Sequence, residues 1–130
     1  MGFFDKFKGS GSSSEEEFSQ VPWVVLGSMD QLDTITEESK DKVVAIFKHS
    51  TRCGISRGVL KNFEKTYMFE KDEVKLYFLD LLAHRSISNE IATRFKVPHE
   101  SPQFIILKDG SVVHHESHSF IDALTLKDFI

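Results

Sequence analysis

The chain has 130 residues, of which 40% are hydrophobic, and this is enough for one compact domain with its own core. Its formal net charge of -4 argues against nucleic acid or an anionic membrane as the main partner, because such partners require a basic surface. The single cysteine excludes an internal disulfide, so the composition predicts a cytoplasmic protein.

The N-terminal part of the sequence differs in composition from the rest. Residues 9–17 read GSGSSSEEE, which is small, polar and acidic and is typical of a flexible linker. We therefore expect a tail and linker over residues 1–19 and one folded domain over residues 20–130. No apolar run has the length of a signal peptide or of a membrane span, so we expect no membrane association.

The first predicted elements are a strand, a helix and a second strand. Trp23–Leu26 is a short apolar strand, and Ser28 followed by Gln31 is a capping-box pattern that predicts a helix to about Ser39. Five consecutive apolar residues, Val43–Phe47, then predict a central strand that is covered on both faces.

A long helix is predicted next, from Cys53 to about Glu70, because Ile55, Val59 and Phe63 recur at helical spacing. It is followed by a strand at Val74–Asp80.

A third helix is predicted to start at a cap formed by Ser86 or Ser88 and to end before Pro98. Strands at Gln103–Lys108 and Ser111–Ser117 follow, joined by an Asp-Gly dipeptide that is typical of tight hairpins. The last ten residues, Ile121–Ile130, are predicted to form a terminal helix.

This order of elements predicts an α/β fold in three layers. The central mixed sheet would combine parallel crossover units with a C-terminal antiparallel hairpin, and helices would cover both faces. In such sheets reactive groups lie at the carboxyl ends of the strands, where the segment HSTRCGIS, His49–Ser56, follows the central strand.

The lone thiol in that segment is the main candidate for a catalytic group. Cys53 lies at the predicted start of a helix, where unpaired backbone N–H groups stabilise a thiolate. The adjacent Arg52 and the nearby Arg57 act in the same direction, which favours a nucleophile over a buried structural cysteine. Lys48 and His49 are weaker candidates for the same effect.

Ser56 occupies the position at which a dithiol enzyme would have its resolving cysteine. Its hydroxyl can cap the helix or bond to the sulfur, but it cannot close a disulfide. A mixed disulfide on Cys53 must therefore be resolved by a thiol of another molecule.

The dipeptide Ser101-Pro102 precedes the fourth strand, where proline is unusual. We expect a cis peptide bond there, which would present the backbone of Ser101 to a peptide or thiol substrate beside the sulfur.

These two motifs carry a resemblance to a known family. FKHSTRCGIS, residues 47–56, and HESPQFIILKDG, residues 99–110, resemble the monothiol bacilliredoxins, the YtxJ-like members of the thioredoxin-like superfamily. The resemblance covers about residues 20–130. This sequence has Gly54 where the family often has proline.

The resemblance implies a thioredoxin-like fold, Cys53 as the nucleophile and Pro102 as the cis-proline. Arg52, Gly54 and Ser56 are the residues near the thiol in sequence that we expect to support the nucleophile. The resemblance further implies a thiol-disulfide oxidoreductase that removes bacillithiol from S-bacillithiolated client proteins, with bacillithiol as co-substrate and no tightly bound cofactor. The carboxylates of bacillithiol require cations, for which Arg52 and Arg57 are candidates and Lys61 is a further one.

Two other functions remain open from the sequence. CGIS, residues 53–56, is also similar to the CGFS motif of monothiol glutaredoxins, which hold a [2Fe-2S] cluster between two protomers with small thiols as the remaining ligands. A thioredoxin-fold adaptor or thiol sensor without catalytic activity is the second alternative.

The histidines of VVHHESHSF do not predict a metal site. His114 and His115 are adjacent on a predicted strand, so they point to opposite faces and cannot converge on one ion without a bulge.

Overall fold

The computed structural model describes residues 21–130. The predicted tail and linker over residues 1–19, and the boundary of the domain at residue 20, lie outside the described residues and stay predictions.

Within residues 21–130, five strands and three α-helices follow one another, alternating up to a final pair of consecutive strands. The strands are β1 (Trp23–Val25), β2 (Val43–His49), β3 (Val74–Asp80), β4 (Gln103–Lys108) and β5 (Ser111–Ser117). The helices are α1 (Asp30–Glu38), α2 (Gly54–Thr66) and α3 (Arg85–Phe95), and two 3-10 helices follow at His118–Phe120 and Ala123–Asp128. The α/β order and the hairpin predicted from the sequence are thus confirmed.

The strands form one mixed sheet in the order β1-β3-β2-β4-β5. The two pairs β1–β3 and β2–β3 are parallel, whereas β4 is antiparallel to both β2 and β5. All seven residues of β2 are buried, as expected for the central strand. Strand β2 continues two residues beyond the predicted end, so that Lys48 and His49 belong to it.

Two apolar clusters cover the two faces of the sheet. One packs α1 and α3 against the sheet, through residues such as Leu32, Ile46 and Ile91. The other packs α2 and the second 3-10 helix against the opposite face, through residues such as Phe47, Phe63 and Leu126. Because successive side chains of a strand point to opposite faces, neighbouring residues of β2 belong to different clusters.

Two helix boundaries differ from the prediction. Helix α2 ends at Thr66 rather than near Glu70, since the next residue, Tyr67, has extended backbone angles. Helix α3 begins at Arg85, with its first turn closed on the carbonyl of His84. Ser88, one of the two predicted caps, is instead fully buried inside the helix.

The predicted terminal helix was wrong in type. Within Ile121–Ile130 the chain forms one 3-10 helix, Ala123–Asp128, which Asp122 caps by accepting from the Leu124 amide at 3.0 Å. Its buried residues Ala123 and Leu126 are three positions apart, which fits the three residues per turn of a 3-10 helix.

The first helix uses half of its predicted capping box. The Gln31 side-chain oxygen accepts from the backbone amides of Gly27 and Ser28 at 2.7 and 2.9 Å. This fixes the chain as it leaves β1, although the helix itself starts at Asp30. Among residues 21–130, no helix is both long and apolar enough to cross a membrane.

Candidate active site

The thiol lies at the junction between the central strand and the second helix. Cys53 is the N-cap residue of α2, with extended backbone angles (φ -102°, ψ 120°), and it is half-buried. Its backbone closes the turn, because its N–H donates to the Ser50 carbonyl at 3.2 Å and its carbonyl accepts from the Arg57 amide at 3.1 Å. The helix therefore starts one residue after the cysteine, so the thiol precedes the first turn.

The electrostatic environment of this position favours an anion. The free N–H groups of a helical first turn carry partial positive charge, and the first turn of α2 contains no acidic residue that would oppose it. Arg52 and Arg57 are both exposed next to the thiol in sequence. Arg57 also donates from Nη1 to the Thr51 carbonyl at 3.1 Å, so it holds the turn before the cysteine.

Gly54 lies exposed at the first position of α2. A side chain built there would have its Cβ 3.7 Å from Nη2 of Arg57, which is an ordinary van der Waals contact. The glycine therefore leaves open space between the helix start and Arg57, without being required by the backbone.

Ser56 is fully buried and bonds within the turn. Its Oγ lies 2.7 Å from Nδ1 of His49 and accepts from the Ser50 amide at 3.1 Å. The structure thus places the hydroxyl between the end of β2 and the start of α2. Any support that Ser56 gives to Cys53 passes through the shape of this turn.

His49 is the hydrogen-bond partner of Ser56, whereas the sequence indicated only a weak effect of this histidine on the thiol. Burial lowers the pKa of its imidazole below the ordinary value, and the charge of Arg57 adds to this, while Asp80 and Glu64 oppose it. A neutral ring that carries its proton on Nε2 can accept the Ser56 hydroxyl hydrogen at Nδ1. The pair then has both of its buried polar groups satisfied.

The Ser101-Pro102 peptide bond is cis, as predicted. Pro102 is buried and Ser101 is half-buried. The carbonyl of Pro102 accepts from the His118 amide at 3.0 Å, and this ties the loop to the first 3-10 helix. We call residues 98–102 the cis-proline loop.

A second polar group, missed by the sequence reasoning, lies on the other face of β2. Lys48 is fully buried, and its Nζ is 3.1 Å from Nδ1 of His99 and donates to Oε1 of Gln103 at 3.1 Å. Ser88 of α3 also contacts Nδ1 of His99, at 3.3 Å. The available signal was the sequence VVAIFKH, in which two polar residues end a run that is otherwise apolar.

The two adjacent histidines of β5 have different surroundings. His114 contacts Glu116 at 3.1 Å, while the neighbouring His115 is exposed. Within residues 21–130, no group of three or more His, Cys, Asp and Glu side chains is arranged to hold a metal ion.

Comparison with protein families gives one match over most of the chain. The family model described as monothiol bacilliredoxin BrxC matches residues 25–126. The chain belongs to this family. The resemblance of the two motifs is confirmed, and the matched range includes both Cys53 and the cis-proline loop of this family member.

Solved structures with the thioredoxin fold resemble the whole domain. One, whose description proposes an oxidoreductase with a thioredoxin fold, has 33% identity and a TM-score of 0.69 over 82% of this chain and 91% of its own. Thioredoxin from Malassezia sympodialis has 26% identity and a TM-score of 0.63 over 85% and 88% of the two chains. Thioredoxin from Fasciola hepatica, at 22% identity and a TM-score of 0.59 over 80% and 92%, shows the fold alone. Family and fold together support a thiol redox function for this bacilliredoxin.

Proposed function

We propose that this chain is a monothiol thiol-disulfide oxidoreductase that removes bacillithiol from protein mixed disulfides. The observation that carries the proposal is a lone thiol at the N-cap of α2, in a family member that has a cis-proline in the loop before β4. Because the sequence has one cysteine, exchange at Cys53 requires a sulfur from another molecule for its second step.

The reaction consists of two thiolate exchanges. The Cys53 thiolate attacks the bacillithiol sulfur of a client mixed disulfide, so that a Cys53–bacillithiol disulfide forms and the client leaves as a thiolate. A second bacillithiol thiolate then attacks the bacillithiol sulfur on Cys53. This step releases the disulfide of bacillithiol and restores the Cys53 thiolate, so no further electron donor is needed.

Each site residue has a role in this proposal. The free amides at the start of α2 and the charges of Arg52 and Arg57 stabilise the thiolate and attract the carboxylates of bacillithiol. Gly54 and Ser56 shape the turn, and the backbone of Ser101 beside Pro102 binds the substrate. Lys61, exposed on the same helix, is a further cation for the carboxylates. No tightly bound cofactor takes part, and the reaction belongs in the reducing cytoplasm.

The decisive experiment measures the release of bacillithiol from a modified client by mass spectrometry, for the native chain and for Cys53→Ser. We expect the variant to release bacillithiol at the uncatalysed rate, because serine cannot form the mixed disulfide. A variant that retains the full rate would leave a non-catalytic adaptor as the better description. Visible absorption after anaerobic reconstitution with iron, sulfide and a small thiol would instead favour a cluster carrier.

A second experiment tests the choice of small thiol. The single variants Arg52→Met and Arg57→Met should each lose about two- to fivefold in kcat/KM with a bacillithiolated client, the range expected for exposed ion pairs. The loss should be smaller with a client modified by cysteamine, a small thiol that has no carboxylate. Lys65→Met makes the same charge change in the last turn of α2 and serves as the control. Equal losses with both clients would contradict recognition of bacillithiol by these arginines.

A further inference from the structure

The buried ammonium of Lys48 lies against the segment that contains the cis-proline. Of its two close partners, Gln103 directly follows Pro102, and His99 lies within the cis-proline loop. Among residues 21–130, Lys48 has no carboxylate within ion-pair distance, so both acceptors are uncharged side-chain atoms. A buried cation without a paired anion is costly, which indicates that this arrangement serves something other than stability.

Gln103 extends the contact across the base of the loop. Its Oε1 accepts from Lys48 at 3.1 Å, and its Nε2 donates to the Pro98 carbonyl at 2.8 Å. One side chain therefore joins the first residue of the cis-proline loop, the strand β4 that follows it, and the central strand β2. Lys48 is thus connected to both ends of the cis-proline loop, to its start through His99 and Gln103 and to its end through Gln103.

Lys48 also belongs to the strand that leads to the thiol. Only five positions separate it from Cys53, and the segment between them contains His49 and Ser50, which Ser56 ties to α2. Strand β2 thus presents two polar side chains to opposite faces of the sheet. His49 fixes the turn of the nucleophile, and Lys48 fixes the loop on the other side.

We propose that Lys48 is a positioning residue that holds the cis-proline loop in register with the Cys53 turn, so that a mixed disulfide bound at the loop meets the thiolate. This inference rests on the proposed function for its kinetic consequence. Its structural part, a loop held by the ammonium through Gln103 and His99, stands independently of which small thiol is the substrate.

The ionisation of Lys48 provides a readout. Burial lowers the pKa of its ammonium to about 8, with the charge of Glu100 opposing the shift. The pKa of His99 is lowered by burial, by Lys48 and by Arg85. Loss of the Lys48 proton near pH 8 therefore weakens the charge-assisted bonds to Gln103 and His99 within a range in which the protein can be assayed.

The variant Lys48→Met keeps the volume of the side chain and removes its charge and its donors. We expect its KM for a bacillithiolated client to rise about tenfold, because a displaced loop misaligns the disulfide. The rate of alkylation of Cys53 by iodoacetamide should stay within about twofold of the native rate, since this small reagent does not need the loop. Lys75→Met, on the half-buried lysine of β3, is the control and should change neither quantity.

Two further variants guard against a folding defect. His99→Ala removes one acceptor from an exposed residue and should raise KM in the same direction by a smaller factor. In the double variant Lys48→Met/Gln103→Met the rise in KM should be smaller than the two single effects combined, because the substitutions share one contact although Gln103→Met also removes the bond to the Pro98 carbonyl. In the native chain, the ratio of the exchange rate to the alkylation rate should fall as the pH rises through about 8. Both rates depend in the same way on the fraction of Cys53 that is thiolate, so their ratio is independent of it. In Lys48→Met the ratio should not change with pH.

Failure of the proposed function and failure of the positioning role of Lys48 give different results. A native chain that is alkylated at Cys53 but releases no bacillithiol overturns the proposed function. Hydrogen exchange of the amides of residues 99–101 then still tests the positioning role, with faster exchange expected in Lys48→Met than in Lys75→Met. Equal exchange in the two variants, or an active enzyme whose KM is unchanged by Lys48→Met, overturns the inference.

Discussion

At the scale of single residues, the polar groups at the end of β2 determine the geometry of the site. A fully buried strand has no exposed face, so its last two residues, Lys48 and His49, are buried on opposite sides. Buried polar groups require partners, and each of these residues finds its own in a different element. His49 bonds to Ser56 of α2, whereas Lys48 bonds to His99 and Gln103.

The Ser56 hydroxyl can be tested by its removal. In Ser56→Ala, the Ser50 amide and Nδ1 of His49 lose their partner inside a buried turn, so the free energy of unfolding should fall by about 1–3 kcal/mol. Urea unfolding followed by fluorescence of Trp23, the single tryptophan, measures this. Ser86→Ala, on the exposed face of α3, is the matched control and should have little effect. Equal effects in the two variants would show that the hydroxyl is not needed.

The position of Cys53 at the strand–helix junction could be predicted from the sequence because its signals are local. An apolar run that is rich in β-branched residues, a lone cysteine and a helical periodicity follow one another in close succession. The contact between Lys48 and Gln103 joins residues 55 positions apart, and no local pattern specifies such a pair. Ser56 was placed in the site by its spacing, but its bond to His49 depends on how α2 packs against β2.

At the scale of elements, turns and helix ends show which sequence signals decide local structure. The Asp109-Gly110 turn forms as predicted, because its two residues have positive φ angles of 56° and 82°. The turn is also fixed to the end of α1, since the Gly110 amide donates to Oγ of Ser39 at 2.8 Å. The length of α2 and the 3-10 form of the C-terminal segment could not be predicted from periodicity, because an amphipathic pattern does not mark the residue at which a helix ends and, over a few residues, does not separate a 3-10 helix from an α-helix.

Substitution of two glycines by alanine should change the free energy of unfolding in opposite directions. Gly110→Ala should lower the free energy of unfolding by about 1 kcal/mol or more, because an L-residue is strained at φ +82° although its Cβ would have space. Gly58→Ala lies within α2 with nothing within 4 Å of the added Cβ, so it should raise the free energy of unfolding by about 0.5–1 kcal/mol. Urea unfolding of both variants measures the difference. Changes of the same sign would contradict the conformational explanation.

At the scale of the whole molecule, two apolar layers enclose a sheet whose polar end is concentrated near the thiol. The sequence predicted both layers, because the periodicities of strands and helices follow burial. It did not predict the buried groups with shifted pKa values, namely His49 and Lys48, because burial of a polar residue depends on the packing of several elements. These groups give the stability of the protein a pH dependence that can be worked out.

Stability should rise with pH in two separate ranges. The lowered pKa of His49 means that the unfolded chain binds more protons than the folded one below about pH 7, so the free energy of unfolding falls as the pH is lowered from there. Lys48 loses its proton near pH 8 in the folded protein and at its ordinary value of 10.5 when unfolded, so stability rises again as the pH increases between these values. The raised pKa of Tyr67, about 12, reverses the trend at higher pH.

Two variants assign these ranges to their residues. His49→Gln should reduce the slope on the acid side, where His99 also contributes, and Lys48→Met should remove the rise above pH 8. Urea unfolding at intervals of one pH unit measures both slopes, with His115→Gln and Lys75→Met as exposed and half-buried controls. The same lysine that costs stability at neutral pH would then be the group that aligns the cis-proline loop, since Lys48→Met should gain stability while it loses affinity for the mixed disulfide. If Lys48→Met lost both stability and affinity for the mixed disulfide, the ammonium would be needed for folding rather than for positioning the loop.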